Sequence, residues 1–236
     1  MLKLAFKGLK KAYLALRYFG SKFWDNLLGI VTTDELAASR LGMDYKEYCS
    51  IHRSIPFTAL WRLMHRLNPS PNDALLDIGC GVGRVICTAA QYKFSRVIGI
   101  DIDRKCCALA KQNSKTLKRS ACQIDVECYD ASAYIVPDDI TIIFFYNSFG
   151  GDELILLLRH ILESYGRMPR RIQLIYANPR EHNLVMSMER FRETGKFLIS
   201  WRPGAEWGRT QMIRFYEVQP EKLSVPTSVA IKERAS

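Results

Sequence analysis

An open, mostly parallel α/β sheet with helices on both faces is the fold class that the sequence predicts, and three observations carry it. From Ala74 onward, short β-branched or apolar runs alternate with helical stretches, the pattern of a parallel sheet with crossover helices. Ile140–Tyr146 (ITIIFFY) is apolar throughout but for one threonine, as a strand covered on both faces requires. An acid or amide ends four successive runs, at Asp77, Asp101, Asp130 and Asn147. Open parallel sheets bind ligands at those carboxyl ends.

The elements follow in order. Leu2, Phe6, Leu9, Tyr13 and Leu16 recur at spacings of four and three and form one helical stripe, flanked by Lys3, Lys7, Lys10 and Arg17. Helix-like pieces follow at Thr33–Arg40, Tyr45–His52 and Phe57–Leu67, the last introduced by Pro56. Asn68-Pro69-Ser70-Pro71-Asn72-Asp73 is a turn cluster and a boundary. Strands are predicted over Ala74–Ile78, Arg96–Ile100, Ile124–Tyr129, Ile140–Tyr146, Arg171–Tyr176, Lys196–Trp201 and Met212–Val218. Helices are predicted over Arg84–Tyr92, from the cap Asp103 to Thr116, and over Glu153–Ser164. The chain thus divides into a basic leader helix (1–24), a helical cap (25–73), a sheet domain (74–218) and a tail (219–236).

With 48% hydrophobic and 25% charged residues, the 236-residue chain is neither disordered nor fibrous. Its net charge is +10, but six of its 34 Lys and Arg lie within residues 1–22, which contain no acid. The body of the protein is only mildly basic. No apolar run is long enough to cross a membrane, and lysines interrupt any apolar core of a signal peptide. Seven cysteines, an odd number, end at Cys128 and read as reduced thiols in a cytosol-like compartment. No C-x-x-C pair occurs, and His52, His65, His160 and His182 share no ligand spacing, so no metal is expected.

Gly79-Cys80-Gly81-Val82-Gly83 permits a tight turn and close approach of backbone N–H groups to a ligand at a helix start. The sixth position of a dinucleotide fingerprint is Arg84 rather than Gly or Ala. Asp77, at the strand end, is unhelpful beside a pyrophosphate and suits an amino group. Asp101 stands where an acid accepts from ribose hydroxyls. The ligand therefore has a ribose and a cation and needs no phosphate, which fits S-adenosylmethionine better than a nicotinamide dinucleotide.

Leu75-Leu76-Asp77-Ile78-Gly79-Cys80-Gly81-Val82-Gly83-Arg84 resembles the first motif of the class I S-adenosylmethionine-dependent methyltransferases. Val97-Ile98-Gly99-Ile100-Asp101 and Tyr129-Asp130-Ala131 are similar to that superfamily's second- and third-strand motifs. The resemblance spans residues 74–218 and implies a Rossmann-like seven-stranded sheet whose last strand is antiparallel. It implies that Asp77, Gly79, Cys80, Gly81 and Gly83 hold the methionine part of the cofactor. Asp101 and Ile102 would lie at the ribose, and Asp130 and Ala131 at the adenine; for Asp130 a plain turn cap is an equal alternative. Phe145-Tyr146-Asn147-Ser148-Phe149-Gly150 resembles the acceptor-facing motif of amine methyltransferases, with Ser148 in place of a proline. On that basis Asn147 orients the acceptor and Tyr146 is a wall or hydrogen-bond partner. Leu28-Gly29-Ile30-Val31-Thr32 and Tyr176-Ala177-Asn178-Pro179 resemble poorly characterised bacterial members of the superfamily.

The expected activity is methyl transfer to an N- or O-nucleophile, with an amine or protein lysine preferred. The alternatives are a non-catalytic binding or regulatory protein of the same fold and a nicotinamide-dependent oxidoreductase. A nucleic-acid acceptor is not favoured by the mildly basic body. The leader packs on the main domain with its lysines solvated, lies on an anionic membrane surface or contacts nucleic acid; the corresponding location is cytoplasmic, with contact at the inner membrane face in the second case.

Overall fold

The protein is described by a computed structural model, which covers residues 15, 18–51, 54–146, 148–200 and 211–221. Most of the leader, His52, Asn147 and Trp201 to Thr210 lie outside the described residues. Among the described residues no helix is long and apolar enough to cross a membrane.

Four helical pieces precede the sheet: α1 (18–28), α2 (Asp34–Leu41), α3 (Tyr45–Ile51) and α4 (Phe57–Leu67). The strands are β1 (Ala74–Ile78), β2 (Arg96–Asp101), β3 (Gln123–Cys128), β4 (Ile142–Phe145), β5 (Gln173–Ala177), β6 (Phe191–Ser200) and β7 (Gln211–Val218). They form one seven-stranded sheet in the order β3-β2-β1-β4-β5-β7-β6. Strands β1 to β5 are parallel, β7 runs antiparallel to both β5 and β6, and the expected reversal of the last strand is therefore present. The crossover helices are α5 (Arg84–Ala89), α6 (Arg104–Thr116), α7 (Gly151–Arg167) and the short α8 (His182–Ser187).

The period of two in the strands builds two cores. Leu75 and Phe144 pack with Leu60, Leu63 and Met64 of α4 and Ile86 of α5 on one face. Leu76, Ile78, Ile143 and Phe145 pack with Leu154, Leu157, Leu158 and Ile161 of α7 on the other. The cap is not a separate layer, because Leu28, Ile30, Ile55 and Phe57 belong to the first of these cores.

Three buried polar residues fasten the cap. The Arg84 guanidinium donates to Thr32 Oγ1 at 2.9 Å, to the Thr32 carbonyl and to the Ile55 carbonyl at 3.1 Å, and lies 4.8 Å over the Phe57 ring. Asp25, 1% exposed, accepts from the backbone N–H and hydroxyl groups of both Thr32 and Thr33 at 2.6–2.8 Å. The Asn113 amide donates to the Val31 and Val82 carbonyls and accepts from the Val31 N–H.

Edges account for the differences from the sequence reading. Strand β6 begins at Phe191, five residues before the expected Lys196, because its polar Arg192 and Glu193 pair across the hairpin with Glu217 and Arg214. Strand β4 begins at Ile142, since Ile140 closes a turn onto the Pro137 carbonyl. Asp103 caps α6 as its sequence position predicts, accepting from Lys105 N–H at 2.7 Å and Cys106 N–H at 3.1 Å. Asp103→Ala should cost about 1 kcal/mol and lower the melting temperature by about 2–4 °C in calorimetry; an unchanged melt would show that the cap contributes nothing.

Candidate active site

The carboxyl ends of β1, β2, β4 and β5 open into a cavity of about 640 Å³. Its floor is the turn after β1. Gly79 N–H and Cys80 N–H both donate to the Ile100 carbonyl at 2.9 Å, which sets the loop across the end of β2. Gly79 has φ +73°, and a Cβ there would collide with the Ser148 hydroxyl. Gly83 has φ +89° and a Cβ there would press on Ala110 at 3.2 Å, so glycine permits both the turn and the close packing of α5 on α6.

Asp77 is the unusual residue of the site. It is 2% exposed, lines the cavity, and its Oδ2 has no hydrogen-bond partner. Burial, and then the neighbouring Asp101 carboxylate, push its carboxyl well above the usual carboxylate range. An orphaned buried acceptor of this kind is costly unless a donor reaches it. Burial, and then the same two acids, raise the Cys80 thiol well above its ordinary value.

Asp101 ties two loops together. Its Oδ2 accepts from Gly81 N–H at 2.8 Å and its Oδ1 from Asp103 N–H at 2.9 Å. Ile102, beside it, is 71% exposed at the cavity mouth, an apolar surface for a flat ligand. Asp130 caps a 3₁₀ turn over Ala131–Ala133: its Oδ1 accepts from the Ser132 hydroxyl and N–H, each at 2.8 Å, and those bonds lower its pKa. The turn-cap role is therefore present, while Asp130 and Ala131 both line the cavity.

The structure brings Asp77, Gly79, Cys80, Gly81, Asp101, Ile102, Asp130, Ala131 and Tyr146 onto one cavity wall or another; Gly83 packs behind it. Asn147 lies outside the described residues, between Tyr146 and Ser148, which both line the cavity. Sequence reasoning missed two groups. Ser54 and Ile55 of the cap also line the cavity, and no local signal places a segment held by Arg84 from 29 residues away. Arg180 lines the side beyond β5, next to Asn178, which takes a left-handed φ of +52°. The rule that ligand groups follow strand ends, applied to β5, would have found these two. Among the described residues no group of three His, Cys, Asp or Glu side chains could hold a metal ion.

Residues 75–163 match a family profile for a methyltransferase domain. This segment is similar to a methyltransferase domain. Over 90 residues the chain is 34% identical to an uncharacterized protein of Methanocaldococcus jannaschii, covering 38% of this chain and 37% of that one. The chain thus spans little more than a third of that relative's length. Among solved structures it is similar to a TehB-like SAM-dependent methyltransferase of Corynebacterium glutamicum, with 18% identity, a TM-score of 0.53 and coverage of 79% and 98% of the two chains. A precorrin 8w decarboxylase of Methanobacterium thermoautotrophicum gives 21% identity, a TM-score of 0.51 and coverage of 71% and 93%. At these identities the likeness is one of fold.

The methyltransferase domain family takes its methyl group from S-adenosylmethionine, and the residues present fit that cofactor. Asp77 offers an unpaired buried acceptor for the ammonium, the glycine loop leaves room for the methionine portion, and Asp101 with Ile102 offers a polar edge and an apolar plate beyond it.

Proposed function

We propose that this methyltransferase domain transfers the methyl group to an N- or O-nucleophile, with an amine, including a protein lysine, preferred. The observation that carries the reading is the buried Asp77 carboxyl group, whose Oδ2 has no partner, beside a left-handed glycine turn in a cavity that Tyr146, Ser148 and Phe149 also line. The cofactor supplies an electrophilic methyl on a sulfonium. Asp77 holds the ammonium, Gly79, Cys80 and Gly81 lie along the methionine chain with Gly83 packed behind, Asp101 and Ile102 hold the ribose side, and Asp130 and Ala131 border the adenine. Tyr146 and Asn147 align the acceptor's lone pair and receive its N–H or O–H. Alignment and exclusion of water are what such a transfer needs from the protein, and no metal or triad is required.

A radiolabelled methyl-transfer assay on fractionated cell extract tests this. Label should appear in a protein or small-amine fraction and fall by about 10²-fold with Asn147→Ala, while S-adenosylhomocysteine binding stays the same. Full turnover by Asn147→Ala would remove Asn147 from the mechanism. Cofactor binding with no label in any fraction would favour the non-catalytic binding protein.

A further inference from the structure

A second set of charged groups lies away from the cofactor cavity. The face of α4 that turns from the core carries Arg62, His65 and Arg66, which with Phe197 of β6 line a groove of about 300 Å³. The Arg62 guanidinium lies 5.4 Å over the Phe197 ring and the Arg66 guanidinium 4.9 Å over the Phe215 ring. These rings are themselves 5.9 Å apart on the adjacent strands β6 and β7. Gly195 gives Arg66 its room, since a Cβ there would lie 3.0 Å from the guanidinium.

Neither guanidinium donates a hydrogen bond or forms an ion pair with a described residue. The described acids of the neighbouring strands are engaged elsewhere: Glu193 with Arg214 at 2.7 Å, and Glu217 with Arg171 at 2.9 Å and Arg192 at 3.4 Å. Two like charges one helical turn apart repel, and the carboxyl end of α4 offsets only part of that. Contact with the rings restricts where the guanidinium groups sit while leaving N–H donors available. That arrangement suits a tetrahedral oxyanion, which accepts bidentate hydrogen bonds.

We propose that Arg62 and Arg66 form an anion site for a phosphate group, carried by a soluble phosphate ester or a lipid headgroup. The site is independent of the methyl-transfer reading. Calorimetric titration of the full chain with pyrophosphate, in low salt and with the cofactor cavity saturated by S-adenosylhomocysteine, tests it. Saturable binding should weaken at least tenfold in Arg62→Gln/Arg66→Gln and change little in Lys115→Gln/Arg119→Gln, which removes the same charge at another exposed place. The first variant relieves repulsion but loses two cation–π contacts, so its melt is recorded with the titration, and a cooperative transition shows that it is folded. Absent binding in the wild type, or equal weakening in both double variants, would overturn the proposal. Sedimentation with phosphatidylglycerol against phosphatidylcholine vesicles separates the sources. A loss specific to the Arg62/Arg66 variant assigns the lipid headgroup, and pyrophosphate binding without that loss assigns the soluble ester.

Discussion

Asp77→Asn should weaken S-adenosylhomocysteine binding and at the same time stabilise the ligand-free protein. The loss is that of a charge-assisted contact to the ligand ammonium, about 1.5–3 kcal/mol, or about 10- to 100-fold in affinity. The gain has the same origin seen from the empty cavity, where the carboxylate is buried, faces Asp101 and has no partner for Oδ2. The pH dependence has a definite sign. The carboxyl's folded pKa is raised above its ordinary value of 3.8, so its contribution to stability is intact below that value and is lost as pH rises through the raised one. The difference in melting temperature between Asp77→Asn and wild type should therefore widen from acidic toward neutral pH. Calorimetric binding together with melts across that range checks both halves. If the variant bound as tightly as wild type, Asp77 would not hold the ammonium; if it melted lower at neutral pH, the carboxylate would not be a strained group.

Arg84→Met should cost about 3–5 kcal/mol of global stability, the range for removing one member of a buried charged network. It leaves the Thr32 and Ile55 carbonyls without their donor and puts an apolar side chain beside the buried Asp25, Thr32 and Thr33 cluster. Arg84→Lys should recover only part of this, because a point charge cannot reach two carbonyls and a hydroxyl at once from above the Phe57 ring. Urea unfolding gives the size of the effect. Limited proteolysis gives its place: cuts at Arg40 and Lys46 should accelerate before the sheet domain is attacked. Both should come with weaker cofactor binding, because Ser54 and Ile55 are then released from the cavity wall. A stable variant with unchanged proteolysis would mean that Asn113 and the apolar contacts of Leu28, Ile30 and Phe57 hold the cap without Arg84.

The two variants also mark where the sequence was legible. The strand ends could be read because a parallel sheet puts its ligand groups at fixed places relative to apolar runs, and Asp77, Asp101 and the glycines lie at those places. Arg84 was visible only as a departure from a dinucleotide fingerprint. Its partner Thr32 lies 52 positions upstream, and no local pattern connects them. Strand β6 was shortened in the sequence reading for a similar reason, since Arg192 and Glu193 look like a loop until Glu217 and Arg214 stand opposite them. Periodicity reports which side chains leave water, whereas polar pairing across the fold reports nothing until the chain is closed.

Asn113 bears on how far the folding unit extends. Its amide is buried in α6, and both hydrogens and the oxygen have acceptors or donors only because Val31 is clasped against Val82. A gene fragment encoding the sheet alone, from residue 74 on, would carry that amide and the Arg84 guanidinium into the folded state with their chief partners missing. A chain that begins at residue 74 should therefore fold less stably than one that keeps the segment from Asp25 to Phe57. The folding unit reaches beyond residues 75–163, the stretch that matches the methyltransferase-domain profile.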